Sequence, residues 1–246
     1  MTGSQDWEDI VAQPLVHQIR DRLRRKILAG ALEPNALLRD SVLAAEMGVS
    51  RAPVREALRS LEQAGLVRKV PNRSYAVASF SWTDLADLSN LRIALETLAA
   101  RLTTVLRSDL DGLRTAVAAL GAAVQKRDDV AILAADRAFH EELVLASHND
   151  QLISVYAQIR DRIELALNAT GSMARGGVGI LDRHEELVEE LLMAQETQNP
   201  AHVIALLEDH VSRGLNAPPL PLVTPARAPA VPARGARARA AKNPGS

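Results

Sequence analysis

Hydrophobic positions recur at helical spacing along most of the chain. Between Pro14 and Ala29, Leu15, Ile19, Leu23, Ile27 and Leu28 fall near i, i+4 with charges between them. This predicts an amphipathic helix that Gly30 closes as a C-cap. A shorter helix is expected over 41–47, then a tight turn at "GVS" (48–50), then a third helix over 51–64 ended by Gly65. In that third helix Val54, Leu58 and Leu61 form an inward stripe, and Ser50 stands where an N-cap is needed. Pro53 sits in the first turn, where its missing N–H costs nothing. The period then changes. "LVRKV" (66–70) and "SYAVASF" (74–80) read as two extended segments joined by the turn-forming "PNR".

From residue 81 the helical pattern returns. Ser81, Ser108 or Asp109, Asp128 or Asp129, and Asn149 are candidate N-caps for helices over 82–106, 109–126, 129–147 and 150–169. A Gly-rich connection, "GSMARGGVG" (171–179), leads to helices over 180–197 and 200–214. The expected fold is mainly α: a winged helix-turn-helix over 10–80 followed by an all-α helical-bundle domain over 81–215. Residues 216–246 are rich in Pro, Ala and Arg without periodicity. They cannot build a core and are expected to be disordered.

Composition supports helices, because 47% of residues are hydrophobic but only 2% aromatic, leaving Leu, Val, Ile and Ala to fill the cores. The absence of cysteine excludes disulfides, thiolate metal sites and a cysteine nucleophile. Acidic residues at 6, 8 and 9 argue against a signal peptide, and the longest apolar runs are too short to span a bilayer. A cytoplasmic protein with no membrane partner is the expectation. The net charge of −1 conceals a division. Residues 1–79 carry 12 Lys/Arg against 9 Asp/Glu, residues 80–216 carry 12 against 21, and the tail carries 5 basic residues and no acidic ones. Positive charge is therefore placed where a nucleic acid could meet it.

Arg51, Arg55 and Arg59 recur every four residues on one face of the third helix, away from its apolar stripe. At the N-terminal end of a helix in the major groove, such guanidinium groups can bind guanine edges or phosphates, with Ser50 beside them. Arg68, Lys69 and Arg73 add charge on the hairpin. Taken alone, three arginines only solvate a helix face. The turn, the cap and the basic hairpin in register favour binding to double-stranded DNA.

The stretch "ILAGALEPNALLRDSVLAAEMGVSRAPVREALRSLEQAGLV" (27–67) resembles the DNA-binding domain of the GntR family of bacterial transcription regulators. It carries a "G-x-L-x-P" opening and a "GVSR-x-PVREAL" core. The resemblance implies that Arg51 and Arg55 contact the operator. Asn35 and Ser74 stand where the family usually has Gly, Asp40 where it has Glu, and Ser41 where a basic residue often helps bind DNA.

In the second half, "DRAFH" (136–140) places Asp136 and His140 one turn apart on a single helical face. That pair can be half of a metal site, an acid/base pair or a salt bridge. His184 and His210 lie in other helices, and with them Asp136 and His140 would make a sensible shell for a divalent cation. Spacing alone supports only the first pair. His17, His148 and His202 read as surface residues.

The second domain also resembles the FCD effector-binding domain of FadR-type GntR regulators. "DRAFH", "HEELVEEL" (184–191) and "EDHV" (208–211) follow its order of ligands, "LRIALETLAARL" (91–102) is similar to its first helix, and "ASHNDQL" (146–152) to its connecting segment. The resemblance implies a metal held by Asp136, His140, His184 and His210: zinc first, with nickel or manganese as alternatives. It also implies a small organic-acid effector contacted by Arg92 and Asn149. Arg92 has a competing partner in Glu96 at i+4. The expected protein is a homodimeric regulator that binds a palindromic operator under control of that effector. A metal-dependent hydrolytic enzyme carrying a helix-turn-helix, or a regulator with a purely structural metal, are the rival readings.

Overall fold

The computed structural model describes residues 14–71, 74–171 and 179–215. Arg73, the Gly-rich connection over 172–178 and the tail from 216 lie outside them. The architecture is a winged helix-turn-helix followed by a helical domain. In the first, α1 (Leu15–Leu28), α2 (Asp40–Met47) and α3 (Arg51–Gln63) pack with a small sheet of β1 (Leu37–Leu38), β2 (Val67–Val70) and β3 (Ser74–Val77). The sheet order is β1-β3-β2, both pairings antiparallel, with Leu38 opposite Tyr75 and Val67 opposite Val77.

Apolar spacing sets this packing. Ile19, Leu23 and Ile27 of α1 and Val54, Leu58 and Leu61 of α3 are all buried in one core with Tyr75 of the wing. Gly48 ends α2 at φ +67 with nothing near its missing Cβ, so the left-handed turn is what requires glycine there. Asn35 also takes a left-handed conformation, φ 67, which accounts for an asparagine at a position where glycine is common. Its Oδ1 accepts from Arg68 and Ser79.

Two differences from the sequence expectation concern caps. Ser50 occupies the N-cap of α3, but its side chain makes no capping hydrogen bond. Helix α5 (Asp111–Lys126) starts from Leu110, not from Ser108 or Asp109, and Asp109 instead accepts from the Asp111 N–H. Strand β1 was not foreseen, since two residues carry no readable period.

The second domain comprises α4 (Trp82–Leu106), α5, α6 (Asp129–Leu145), α7 (Asp150–Thr170), α8 (Ile180–Thr197) and α9 (Ala201–Gly214). Ser81 and Asp84 form a capping box on α4, while Asp128 caps α6 and Asn149 caps α7. Phe139, Leu113, Leu143, Leu191 and Leu207 lie in a core drawn from all six of these helices.

The two domains share contacts through α1 and α7. Leu165 of α7 is buried in the core of the first domain, and Asn168 donates to the Leu28 carbonyl at 2.7 Å. Arg24 of α1 forks onto the Asp161 carboxylate. Among the described residues, no helix is long and apolar enough to cross a membrane.

Candidate metal centre and nucleic-acid interface

On α3 the apolar stripe turns inward and leaves Arg51, Arg55 and Arg59 exposed on the outer surface. Arg51 and Arg55 are not free-swinging. The Asp40 carboxylate, buried at the start of α2, accepts from Arg51 Nη2 at 2.9 Å and from Arg55 Nη2 at 2.8 Å and Nε at 3.1 Å. Bonds from Arg55, then from Arg51, outweigh desolvation and hold the Asp40 carboxyl below its usual range. One carboxylate thus fixes two guanidinium groups one turn apart while each keeps N–H donors to spare.

Deep in the second domain, the i, i+4 spacing of Asp136 and His140 turns both toward the bundle interior, where α8 brings His184 and α9 brings His210. All four are buried, and one ligand atom from each lies within 4.8 Å of the others. His184 Nε2 is 3.2 Å and His140 Nε2 3.8 Å from Asp136 Oδ1, and His140 Nε2 is 3.1 Å from His210 Nε2. Phe139 packs edge-on against the His140 and His184 rings, closing the site with apolar surface.

Partners on the far side of two of the three rings fix their tautomers. His184 Nδ1 lies 2.8 Å from the Ile180 carbonyl oxygen and must carry the proton to bond it. His140 Nδ1 lies 2.8 Å from Glu96 Oε2 and donates likewise. Each Nε2 then presents a lone pair to the centre. That is why His184 Nε2 has no hydrogen bond despite its closeness to Asp136: a lone pair faces a carboxylate. His210 Nδ1 is also without a partner among the described residues.

The charges around the rings are paired in a buried network. Glu96 Oε1 accepts from Arg92 Nε at 2.6 Å and from the Tyr156 hydroxyl at 2.9 Å. Burial works against an ionised Glu96, but Arg92 and His140 prevail and hold it at about 2. Burial likewise opposes the Asp136 carboxylate, yet its pKa is held well below the usual range, and the Arg92 guanidinium is the permanent positive charge that favours the ionised form. Burial lowers His140, reinforced by Arg92, and lowers His210 further, reinforced by the other two histidines. At neutral pH the site therefore holds two carboxylates against one guanidinium, with neutral imidazoles at His140 and His210. A divalent cation relieves both the lone-pair opposition and the charge, and the residues present fit one.

Comparison with known proteins places this geometry. The family model for bacterial regulatory proteins of the gntR family matches residues 15–77, and the FCD domain model matches residues 87–213. The chain belongs to the GntR family. It is a bacterial transcription regulator with a DNA-binding helix-turn-helix and an FCD domain. An HTH-type transcriptional regulator of Bacillus subtilis, YdhC, is 29% identical over 203 residues, covering 78% of this chain and 87% of the relative. The Nta operon transcriptional regulator of Aminobacter aminovorans is 27% identical over 183 residues, covering 72% and 83%. Among solved structures, a GntR transcriptional regulator from Rhodococcus sp. RHA1 has a TM-score of 0.70 at 23% identity, covering 82% of this chain and 98% of that one. Escherichia coli McbR has a TM-score of 0.66 at 24% identity, covering 82% and 96%. These likenesses in structure concern the fold. The relatives are named as regulators, not enzymes.

Of the residues singled out in this GntR-family sequence, the structure brings Asp136, His140, His184 and His210 to one point. Arg92 adjoins them, but its Nε is spent on Glu96. Asn149 lies at the start of α7, where its side-chain oxygen accepts from the Leu152 N–H, and no contact among the described residues joins it to the cluster. His17, His148 and His202 are exposed, and His202 pairs with Glu190 at 2.8 Å. Sequence reasoning missed three functional groups. Glu96 had entered only as an alternative partner of Arg92, Asp40 only as a departure from the family pattern, and nothing in the pattern marks Tyr156.

Proposed function

We propose that this GntR-family protein binds its operator as a homodimer and that a small carboxylate metabolite, held in part by a divalent metal in the FCD domain, controls that binding. The observation that carries the reading is the buried convergence of three imidazoles and one carboxylate within 4.8 Å of one another. Asp136, His140, His184 and His210 would hold the ion. Neutral nitrogen donors with one carboxylate suit zinc, with nickel or manganese as alternatives. A bound ion would supply a Lewis-acidic position for a ligand oxygen. Arg92, fixed by Glu96, keeps N–H donors for the other end of a carboxylate.

At the other end of the molecule, Arg51, Arg55 and Arg59 are the residues assigned to DNA. Asp40 supports this by orienting the first two before contact, so less side-chain freedom is lost on binding. Arg137 stands next to Asp136 on α6 and bonds Glu164 of α7, and α7 carries Asp161, the partner of Arg24 in α1. This chain of ion pairs gives an effector that prefers one domain arrangement a route to the DNA-binding domain.

The test combines two measurements on the full chain. Elemental analysis of protein dialysed free of loose ions should find about one metal per chain, lost in His184→Ala; unchanged metal in that variant sinks the ligand assignment. Gel shifts with the DNA upstream of its own gene should give a salt-sensitive, sequence-specific complex. Absence of that complex at moderate salt sinks the regulator reading for this DNA.

A further inference from the structure

Where α1 meets α6 and α7, a cleft of about 540 Å3 opens between the two domains. That volume is in the range of small-molecule sites. The last turns of α1, the first half of α6 and the end of α7 supply its walls, and none of the four residues of the histidine cluster lines it. Leu28, from the core of the first domain, and Leu133 and Leu167, from that of the second, give it an apolar floor. Val130, 78% exposed, and the exposed Ala134 belong to the same lining and extend the apolar surface toward solvent.

We propose that this cleft is a second ligand site, which takes a small amphipathic anion: an aromatic or branched apolar body bearing one acidic group. The unspent donors of its lining select that class. Arg25, exposed in the last turn of α1, forms no ion pair among the described residues. Arg24 spends Nε and Nη2 on Asp161, which leaves Nη1. Arg137 spends Nε on Glu141 and Nη1 on Glu164, while its Nη2 is 4.0 Å from Asp161, beyond hydrogen-bond range. Of the two carboxylates in the lining, Glu164 is thus taken by Arg137. Asp129 lies in the first turn of α6, where the helix N-terminus offsets its charge. The charge left without a partner at the cleft is the Arg25 guanidinium, and it stands beside an apolar floor. An acidic group on Arg25 with an apolar body against Leu28, Leu133 and Leu167 satisfies both.

The site stands apart from the metal-held effector proposed above and does not rest on it. A molecule in the cleft touches α1 of the DNA-binding domain and α6 and α7 of the FCD domain at once. Its binding energy therefore depends on how the two domains are set, which is the condition for a ligand to bias that setting.

Fluorescence titration of the full chain with 1-anilinonaphthalene-8-sulfonate, an aromatic body carrying one sulfonate, tests the proposal. The wild type should bind one molecule per chain with a dissociation constant on the order of 10–100 μM, as expected for a ligand of that size. Ala134→Trp, which puts an indole where the ligand body would lie, should weaken binding about tenfold or more with helical circular dichroism unchanged. Arg25→Glu should weaken it about tenfold, yet leave the uncharged analogue N-phenyl-1-naphthylamine within about twofold of its wild-type affinity. Loss of folding cannot produce that difference. His184→Ala should bind the sulfonate as the wild type does, because the site owes nothing to the metal. A wild type without saturable binding by about 500 μM overturns the proposal, being far weaker than its size allows. So does an Ala134→Trp form that binds like wild type. An Arg25→Glu form that loses both probes equally, or neither, overturns it too. Loss of the sulfonate in His184→Ala would place the probe at the histidine cluster and overturn this site while leaving the metal reading intact.

Discussion

Replacing Glu96 by Gln tests whether the histidine cluster is set from behind. Glu96 accepts three hydrogen bonds: from His140 Nδ1 at 2.8 Å, Arg92 Nε at 2.6 Å and the Tyr156 hydroxyl at 2.9 Å. A glutamine has one acceptor oxygen and one NH2 group that only donates. If the NH2 faces His140, that ring must release its Nδ1 proton and place it on Nε2, where it blocks the metal position. If the NH2 faces Arg92 and Tyr156, donors oppose donors in a fully buried site. Either way Arg92, 2% exposed, loses its counter-charge. Breaking a buried pair by removing one partner costs about 3–5 kcal/mol, and retention of one carbonyl puts this case near the lower figure. For a chain of this size about 3 kcal/mol lowers the melting temperature by roughly 6–12 °C. Loss of the outer partner of a ligating histidine costs about 10–100-fold in metal affinity. Thermal unfolding of metal-free protein and a competition titration with a metal-binding dye read the two effects separately. A variant within about 2 °C of wild type and binding metal within about threefold would refute the tautomer argument and the charge argument together.

Three further outcomes follow from the same structure. Arg51→Ala and Arg55→Ala should each cost about 1–3 kcal/mol in operator binding while non-specific binding falls much less, as read by gel shift against competitor DNA. Equal loss on both kinds of DNA would reduce these residues to phosphate contacts. Asp40 ionises below its usual value of 3.8 because Arg55 and Arg51 bond it, so its contribution to stability is present above that pH and is lost as pH falls through the lower folded-state value. Urea unfolding should therefore find Asp40→Asn less stable than wild type at pH 6, with the gap shrinking near pH 3; a constant gap contradicts the pairing. Arg24→Ala and Asp161→Ala should show a coupling of about 1–2 kcal/mol in a double-mutant cycle on stability, and additive costs would mean that the half-buried fork holds nothing.

Helix positions were legible because an apolar stripe at period 3.6 is a local property. The expected 82–106 and 180–197 coincide with α4 and α8, and Ser81 and Asn149 cap as their types suggest. Caps failed where local preference met a competing geometry: Ser50 is in place without its bond, and α5 begins past its candidate caps at Leu110. The site was half legible. Asp136 and His140 could be paired from spacing alone, because a helix fixes what stands one turn away. His184 and His210 were tied to them only by resemblance to the FCD domain, since no local rule spans the 43 residues between His140 and His184.

The sequence alone determined the helices, the winged helix-turn-helix order and the arginine row on α3, because periodicity, turn chemistry and capping act over a few residues. Tertiary structure decided what those residues do to one another. It set Asp40 under Arg51 and Arg55, so the row became an oriented pair. It set Glu96 behind His140 and the Ile180 carbonyl behind His184, so two of four clustered ligands took fixed tautomers. It also left Leu91, Leu98 and Val105 of α4 in the open while burying Arg92 and Glu96. Which face of a helix meets its neighbours depends on where the other helices lie, and in so apolar a chain no stripe announces by itself that it will remain uncovered.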